Sequence, residues 1–189
     1  VLNLEPQDGY YDLTASSTDV AGNTSGFTGE PDASFVLDQL PPTSMSTCPQ
    51  FVRTAEVTVD VHSSDNLSGL DSVQLFMRRP GEAWGEAGAP THATSASITL
   101  TLSGGQGNYE FRARAIDRAG NYDSMSEQPE CSTVYDATPP DSSCSSSRYT
   151  RVATGEITFE ASDEHSGVQK VTLWAAFEGA PLAAVDAID

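Results

Sequence analysis

Apolar and polar residues alternate with a period of two over several short stretches of this chain. Val57, Val59 and Val61 share one side of such a stretch, and Val73, Leu75 and Met77 share one side of the next. Ile98, Leu100 and Leu102 mark a third stretch, and Tyr109, Phe111, Ala113 and Ala115 a fourth. Successive side chains point to opposite faces of a β-strand, so each set predicts a strand with one buried face. Gly, Pro, Asn and Asp cluster between the stretches, as tight turns require. Helical periodicity is scarce. The pattern predicts an all-β chain.

The same pattern recurs at a fixed distance. Gly9–Asn23 (GYYDLTASSTDVAGN) matches Gly107–Asn121 (GNYEFRARAIDRAGN), 98 residues later. Asp38–Pro42 (DQLPP) matches Asp136–Pro140 (DATPP), and Asp65–Gly69 (DNLSG) matches Asp163–Gly167 (DEHSG), both again 98 residues apart. The predicted strands follow the same offset. Ile157, Phe159 and Ala161 copy the first set, and Val171, Leu173 and Ala175 the second. Tyr11, Leu13 and Ala15 copy the fourth, with Leu2 and Leu4 at the end of the third.

One blocklength of 98 residues suits a sandwich of about seven strands. The expected organisation is one complete unit over 38–136, preceded by the C-terminal part of a unit (1–37) and followed by the N-terminal part of another (137–189). The Pro41-Pro42 and Pro139-Pro140 pairs mark the junctions. Proline fixes φ and gives no ladder hydrogen bond, which suits a stiff link.

The motif A-x-D-x-A-G-N, then D-x-x-P-P, then D-x-x-S-G, resembles bacterial immunoglobulin-like tandem repeats. Here it reads Ala115–Asn121, Asp136–Pro140 and Asp163–Gly167, with Ser17 in place of the alanine in the earlier copy. Such repeats occur in adhesins, surface-layer proteins and other secreted multidomain proteins. The resemblance implies tandem immunoglobulin-like β-sandwiches acting as spacers, stalks or fibre subunits, and it allows calcium at repeat junctions.

Charge narrows the partners. Twenty-seven acidic residues against nine basic ones give a formal net charge of −18. That disfavours nucleic acid and anionic lipid and favours cations. No apolar run is long enough to span a membrane. Residue 1 is Val, so a processed product or a piece of a longer chain is expected. The expected location is extracellular or on the cell surface.

In an immunoglobulin-like sandwich the N-terminal end and two loops meet at one end. That gathers Asp38, Asp65 and Asp117, and the next junction gathers Asp136 and Asp163. Clustered carboxylates repel unless protonated or bridged, and Asp with backbone carbonyls suits calcium. The competing expectation is that each Asp caps its own turn. Gly22-Asn23 and Gly120-Asn121 read as turns that tolerate positive φ.

Cys48 falls on the first strand of the middle unit and Cys131 on its last, and these run side by side in this fold. A disulfide between them is expected. Cys144 aligns roughly with Cys48 and has no matching partner, so it is expected unpaired, buried or bound elsewhere.

No nucleophile motif or phosphate loop occurs, the three histidines form no set, and no enzyme is expected. A flat ring can stack on a sugar, so Trp84, after a Pro-Gly turn, is the candidate contact to a cell-surface glycan. Trp174 aligns with Phe76 inside a strand and reads as core. An adhesin or carbohydrate-binding module is therefore the alternative to a structural repeat.

Half a sandwich leaves an apolar face and strand edges open. Val1 aligns with Thr99 and Asp189 with Thr91, so only about seven repeat positions fall between the two partial units. Residues 137–189 of one chain are expected to pair with 1–37 of another, head to tail, bringing Asp19 to Asp136 and Asp163.

Overall fold

The computed structural model describes residues 7–26 and 29–188. Leu2 and Leu4 lie outside them. Among the described residues every regular element is a strand, and no helix is present.

The centre of the chain holds two sheets. One contains β3 (Thr43–Thr47), β5 (Glu56–Ser64) and β8 (Ser95–Thr101), in the order β3-β5-β8. The other contains β4 (Phe51–Val52), β6 (Leu70–Arg78), β7 (Gly85–Glu86), β9 (Gly107–Asp117) and β10 (Cys131–Tyr135), in the order β4-β10-β9-β6-β7. All pairings are antiparallel except that of β4 with β10.

The period-two alternation explains how the sheets meet. Val57, Val59 and Val61 of β5 face Val73 and Leu75 of β6 and Tyr109, Phe111, Ala113 and Ala115 of β9 in one buried cluster. The alternate residues Thr58, Asp60 and His62 are exposed. The result is an all-β, sandwich-like fold with its core between the two sheets.

The first two described strands form a separate hairpin. β1 (Gly9–Leu13) pairs with β2 (Ala33–Leu37), and Tyr11 stacks on Phe35 with ring centroids 5.1 Å apart. Ala15 falls beyond the end of β1. At the other end, β11 (Asp141–Ser146) pairs with β12 (Ile157–Ser162), and β13 (Val171–Ala175) pairs with β14 (Ala183–Ile188).

These flanking pairs copy the centre register for register. Gly9↔Leu37 and Leu13↔Ala33 repeat Gly107↔Tyr135 and Phe111↔Cys131. Asp141↔Ser162 repeats Thr43↔Ser64. Trp174↔Ala184 and Ala175↔Ala183 repeat Phe76↔Glu86 and Met77↔Gly85.

The flanks nonetheless stay open. Ile157 is 45% exposed, Phe159 42% and Trp174 57%. Trp174 is thus on a strand as expected but is not buried: it repeats Phe76, which alternates with the core-facing Leu75 and Met77 and stays outside the central buried cluster.

Cys48 and Cys131 form a disulfide across 83 positions, with Cα atoms 5.9 Å apart. Cys144 is unpaired and exposed. Its register opposite Phe159 makes it the counterpart of Ser46, which sits opposite Val61, rather than of Cys48. Reducing the Cys48–Cys131 bond, or the double change to Ala, is expected to lower stability by about 4 kcal/mol through the unfolded chain's regained freedom. Urea unfolding followed by tryptophan fluorescence checks this, and an unchanged midpoint would contradict it.

Candidate metal centre

Three loops converge at one end of the central sandwich. Asp38 precedes β3, Asp65 follows β5, and Asp117 closes β9. Each offers a carboxylate oxygen, and the three oxygens lie within 4.8 Å of one another. Asp117 is 1% exposed and Asp38 6%, while Asp65 is half-buried.

Backbone amides hold each carboxylate in place. Asp65 Oδ1 accepts from the amides of Leu67 and Gly69. Asp38 Oδ1 accepts from Leu40, and its Oδ2 accepts from the amide of Ser68 at 2.8 Å. Asp117 accepts from Asn121 twice, by the amide at 2.8 Å and by Nδ2 at 2.7 Å. The same Nδ2 donates to the carbonyl of Asp38 at 3.0 Å and so ties two of the three loops together. The turn caps expected from the sequence and the cluster expected from the topology are therefore both present, on the same side chains.

The expectation for the Gly-Asn pairs holds for glycine only. Gly22 and Gly120 have φ of 92° and 91°, whereas neither asparagine has a positive φ. Asn121 is there for its amide group. That role is invisible in a pairwise turn pattern, but A-G-N after a fixed Asp was its signal.

Two buried polar atoms in this region have no hydrogen-bond partner, Asp65 Oδ2 and Ser68 Oγ. A buried carboxylate oxygen without a donor is costly. No arginine among the described residues forms an ion pair with Asp38, Asp65 or Asp117. The donor set is all hard oxygen: three carboxylates, a hydroxyl and nearby carbonyls. That set fits calcium by ligand type.

The segment 98 residues further on repeats most of these hydrogen bonds. Asp136 Oδ1 accepts from Thr138 and its Oδ2 from the amide of Ser166. Asp163 Oδ1 accepts from His165 and Gly167. Asp136 is 9% exposed and Asp163 half-buried. Asp19 keeps the geometry of Asp117: Asn23 donates to it by amide at 2.8 Å and by Nδ2 at 2.7 Å. Asp19 is exposed and stands apart from the other two in the single chain.

Trp84 has a different setting from the one expected. The guanidinium carbons of Arg78 and Arg112 each lie 4.2 Å from its ring centroid, and its Nε1 is buried without a partner. Arg78 also pairs with Glu110 at 2.6 Å. The half-buried ring is taken up by cation–π contacts rather than offered as a bare platform. Sequence gave no warning, because residues 78, 84 and 112 meet only through sheet pairing.

No protein-family model matches the sequence, and no curated protein is significantly similar to it.

Hydrogen bonding by Ser68 is the main cause that holds the Asp38 carboxyl below its ordinary value of 3.8, against the opposing effect of burial, with Leu40 adding to the lowering. Only the amide of Ser68 completes a hydrogen bond. A carboxyl lowered in the folded state adds stability that is present above its unfolded value and is lost as pH falls through the folded value. Stability of the central sandwich is therefore expected to fall as pH drops below about 3.8. The decline should be shallower in Asp38→Asn. Acid titration of the urea midpoint checks this, and identical slopes would contradict it.

Proposed function

We propose that this chain is a non-enzymatic structural repeat protein of an extracellular surface structure or filament, built of tandem immunoglobulin-like sandwiches. Calcium at the junctions stiffens the rod. The observation that carries the reading is the Asp38, Asp65 and Asp117 cluster beside the Pro41-Pro42 pair, with Asp136 and Asp163 repeating its hydrogen bonds 98 residues on.

Three anions in a space of 4.8 Å favour whatever neutralises them. A cation there would draw together the inter-unit linker beside Pro41-Pro42 and two loops of the sandwich. Bending at the junction would then require ligands to leave the ion. The bound metal's contribution is mechanical, and the residues' own contribution is to fix where it sits.

Other features support the same reading. A disulfide persists in oxidising compartments, which fits a secreted protein. No helix among the described residues is long and apolar enough to cross a membrane. The strong negative charge keeps a repetitive β-rich surface soluble and non-adherent to itself at random.

Calorimetric titration of calcium into the chelator-treated protein tests the reading. Binding is expected, with stabilisation of about 2.7 kcal/mol when calcium is at a hundred times its Kd. Asp65→Asn keeps Oδ1 for the Leu67 and Gly69 amides but removes the charge on the unpartnered oxygen. It is expected to weaken binding at least tenfold at this site while leaving the fold intact. No heat of binding, together with identical melting in calcium and in chelator, would overturn the calcium reading.

A further inference from the structure

Tension along the chain would enter the central sandwich at Asp38, ahead of β3, and leave it at Asp136, behind β10. β4 runs parallel to β10. A pull that enters ahead of β4 and leaves behind β10 therefore slides the two strands past each other lengthwise. The contact that resists this sliding is short. The amides of Val134 and Asp136 donate to the carbonyls of Gln50 and Val52, each at 2.9 Å. The buried Thr133 hydroxyl donates to the carbonyl of Pro49 at 2.6 Å.

The Cys48–Cys131 bond sits at the head of this contact and changes where the force goes. Cys48 follows β3, and Cys131 opens β10. Between them lie β5, β6, β8, β9 and the whole buried cluster from Val57 to Ala115. With the bond closed, force that reaches Cys48 crosses directly to Cys131. Without it, the same force must pass through ladder hydrogen bonds, each of which contributes only about 1 kcal/mol net.

We propose that the Cys48–Cys131 bond is a tension latch. It carries pulling force past residues 49–130, so the core of the central sandwich cannot be drawn out while the bond is closed. Reduction makes the same residues extensible. The inference rests on the reading of the chain as a structural rod, and it does not depend on calcium.

Neighbouring contacts brace the latch. Glu130, next to Cys131, accepts from the amide and the hydroxyl of Ser46 at 2.6 and 2.7 Å, two residues before Cys48. The aspartate cluster straddles the boundary of the closed loop. Asp38 lies outside it, on the path of the force, whereas Asp65 and Asp117 lie inside. Asn121 Nδ2, also inside, holds the carbonyl of Asp38 at 3.0 Å. The latch is not repeated. Ala33 stands 98 residues before Cys131 and Ser146 stands 98 residues after Cys48, so neither matching segment can form the same bond.

Stretching the 189-residue chain between handles at its two ends, in optical tweezers, tests the latch. The same molecule is pulled before and after reductant is added, so no variant has to fold without its bond. The 83 positions between the cysteines, at about 3.4 Å each, make the fully stretched chain about 280 Å longer after reduction. Before reduction, no single step of that length is expected. On relaxation the latched sandwich is expected to refold at least tenfold faster, because its largest loop is already closed. Cys48→Ser/Cys131→Ser is expected to behave from the first pull as the reduced chain does. Equal stretched lengths before and after reduction, or equal refolding rates, would overturn the proposal. Repeating the pulls in calcium and in chelator separates this outcome from the calcium reading: a gain of about 280 Å in chelator sustains the latch even where no calcium binds.

Discussion

A strand that alternates apolar and polar residues must bury one face, and that constraint orders the whole chain. The central sandwich satisfies it. Three strands and five strands turn their apolar faces inward, and Val59, Leu75, Phe111 and Ala115 are each wholly buried. The flanking strands carry the same alternation and the same registers without the second layer. Their half-exposed Phe35, Ile157 and Phe159 are the consequence.

Around this core, carboxylates fix the geometry. Glu130 gathers the amides of Ser46 and Ala113 and the hydroxyl of Ser46, linking the two sheets at one edge. Asp38, Asp65 and Asp117 each gather amides from their own or a neighbouring loop. The loops are thereby set before any ion arrives, and a calcium site built this way loses little ordering entropy on binding. The unpartnered Asp65 Oδ2 and Ser68 Oγ are the exceptions in this network. A satisfied network explains shape, whereas an unsatisfied buried oxygen calls for a further partner.

Much of this was legible in the sequence, for a physical reason. Period two is imposed by the pleat, so the buried faces of β5, β6 and β9 could be read residue by residue. The 98-residue offset marks which segments match, loop convergence predicts the aspartate cluster, and the neighbouring first and last strands predict the Cys48–Cys131 disulfide. What escaped notice has no periodic signature. β4 and β7 are two residues each. The Arg78–Trp84–Arg112 stack and the Glu130 pin join residues far apart in the chain. Trp174 and Cys144 differ from expectation because each depends on exact register: Trp174 repeats the outward Phe76, and Cys144 repeats Ser46 rather than Cys48. The asparagine of A-G-N reads as a turn former in sequence, because its bond to the Asp38 carbonyl runs between loops.

The most direct test is a crystal structure of the 189-residue chain grown with calcium, with anomalous scattering used to locate ions. The expected map places one ion among Asp38, Asp65 and Asp117. Well-ordered carboxylates with only water between them would contradict it.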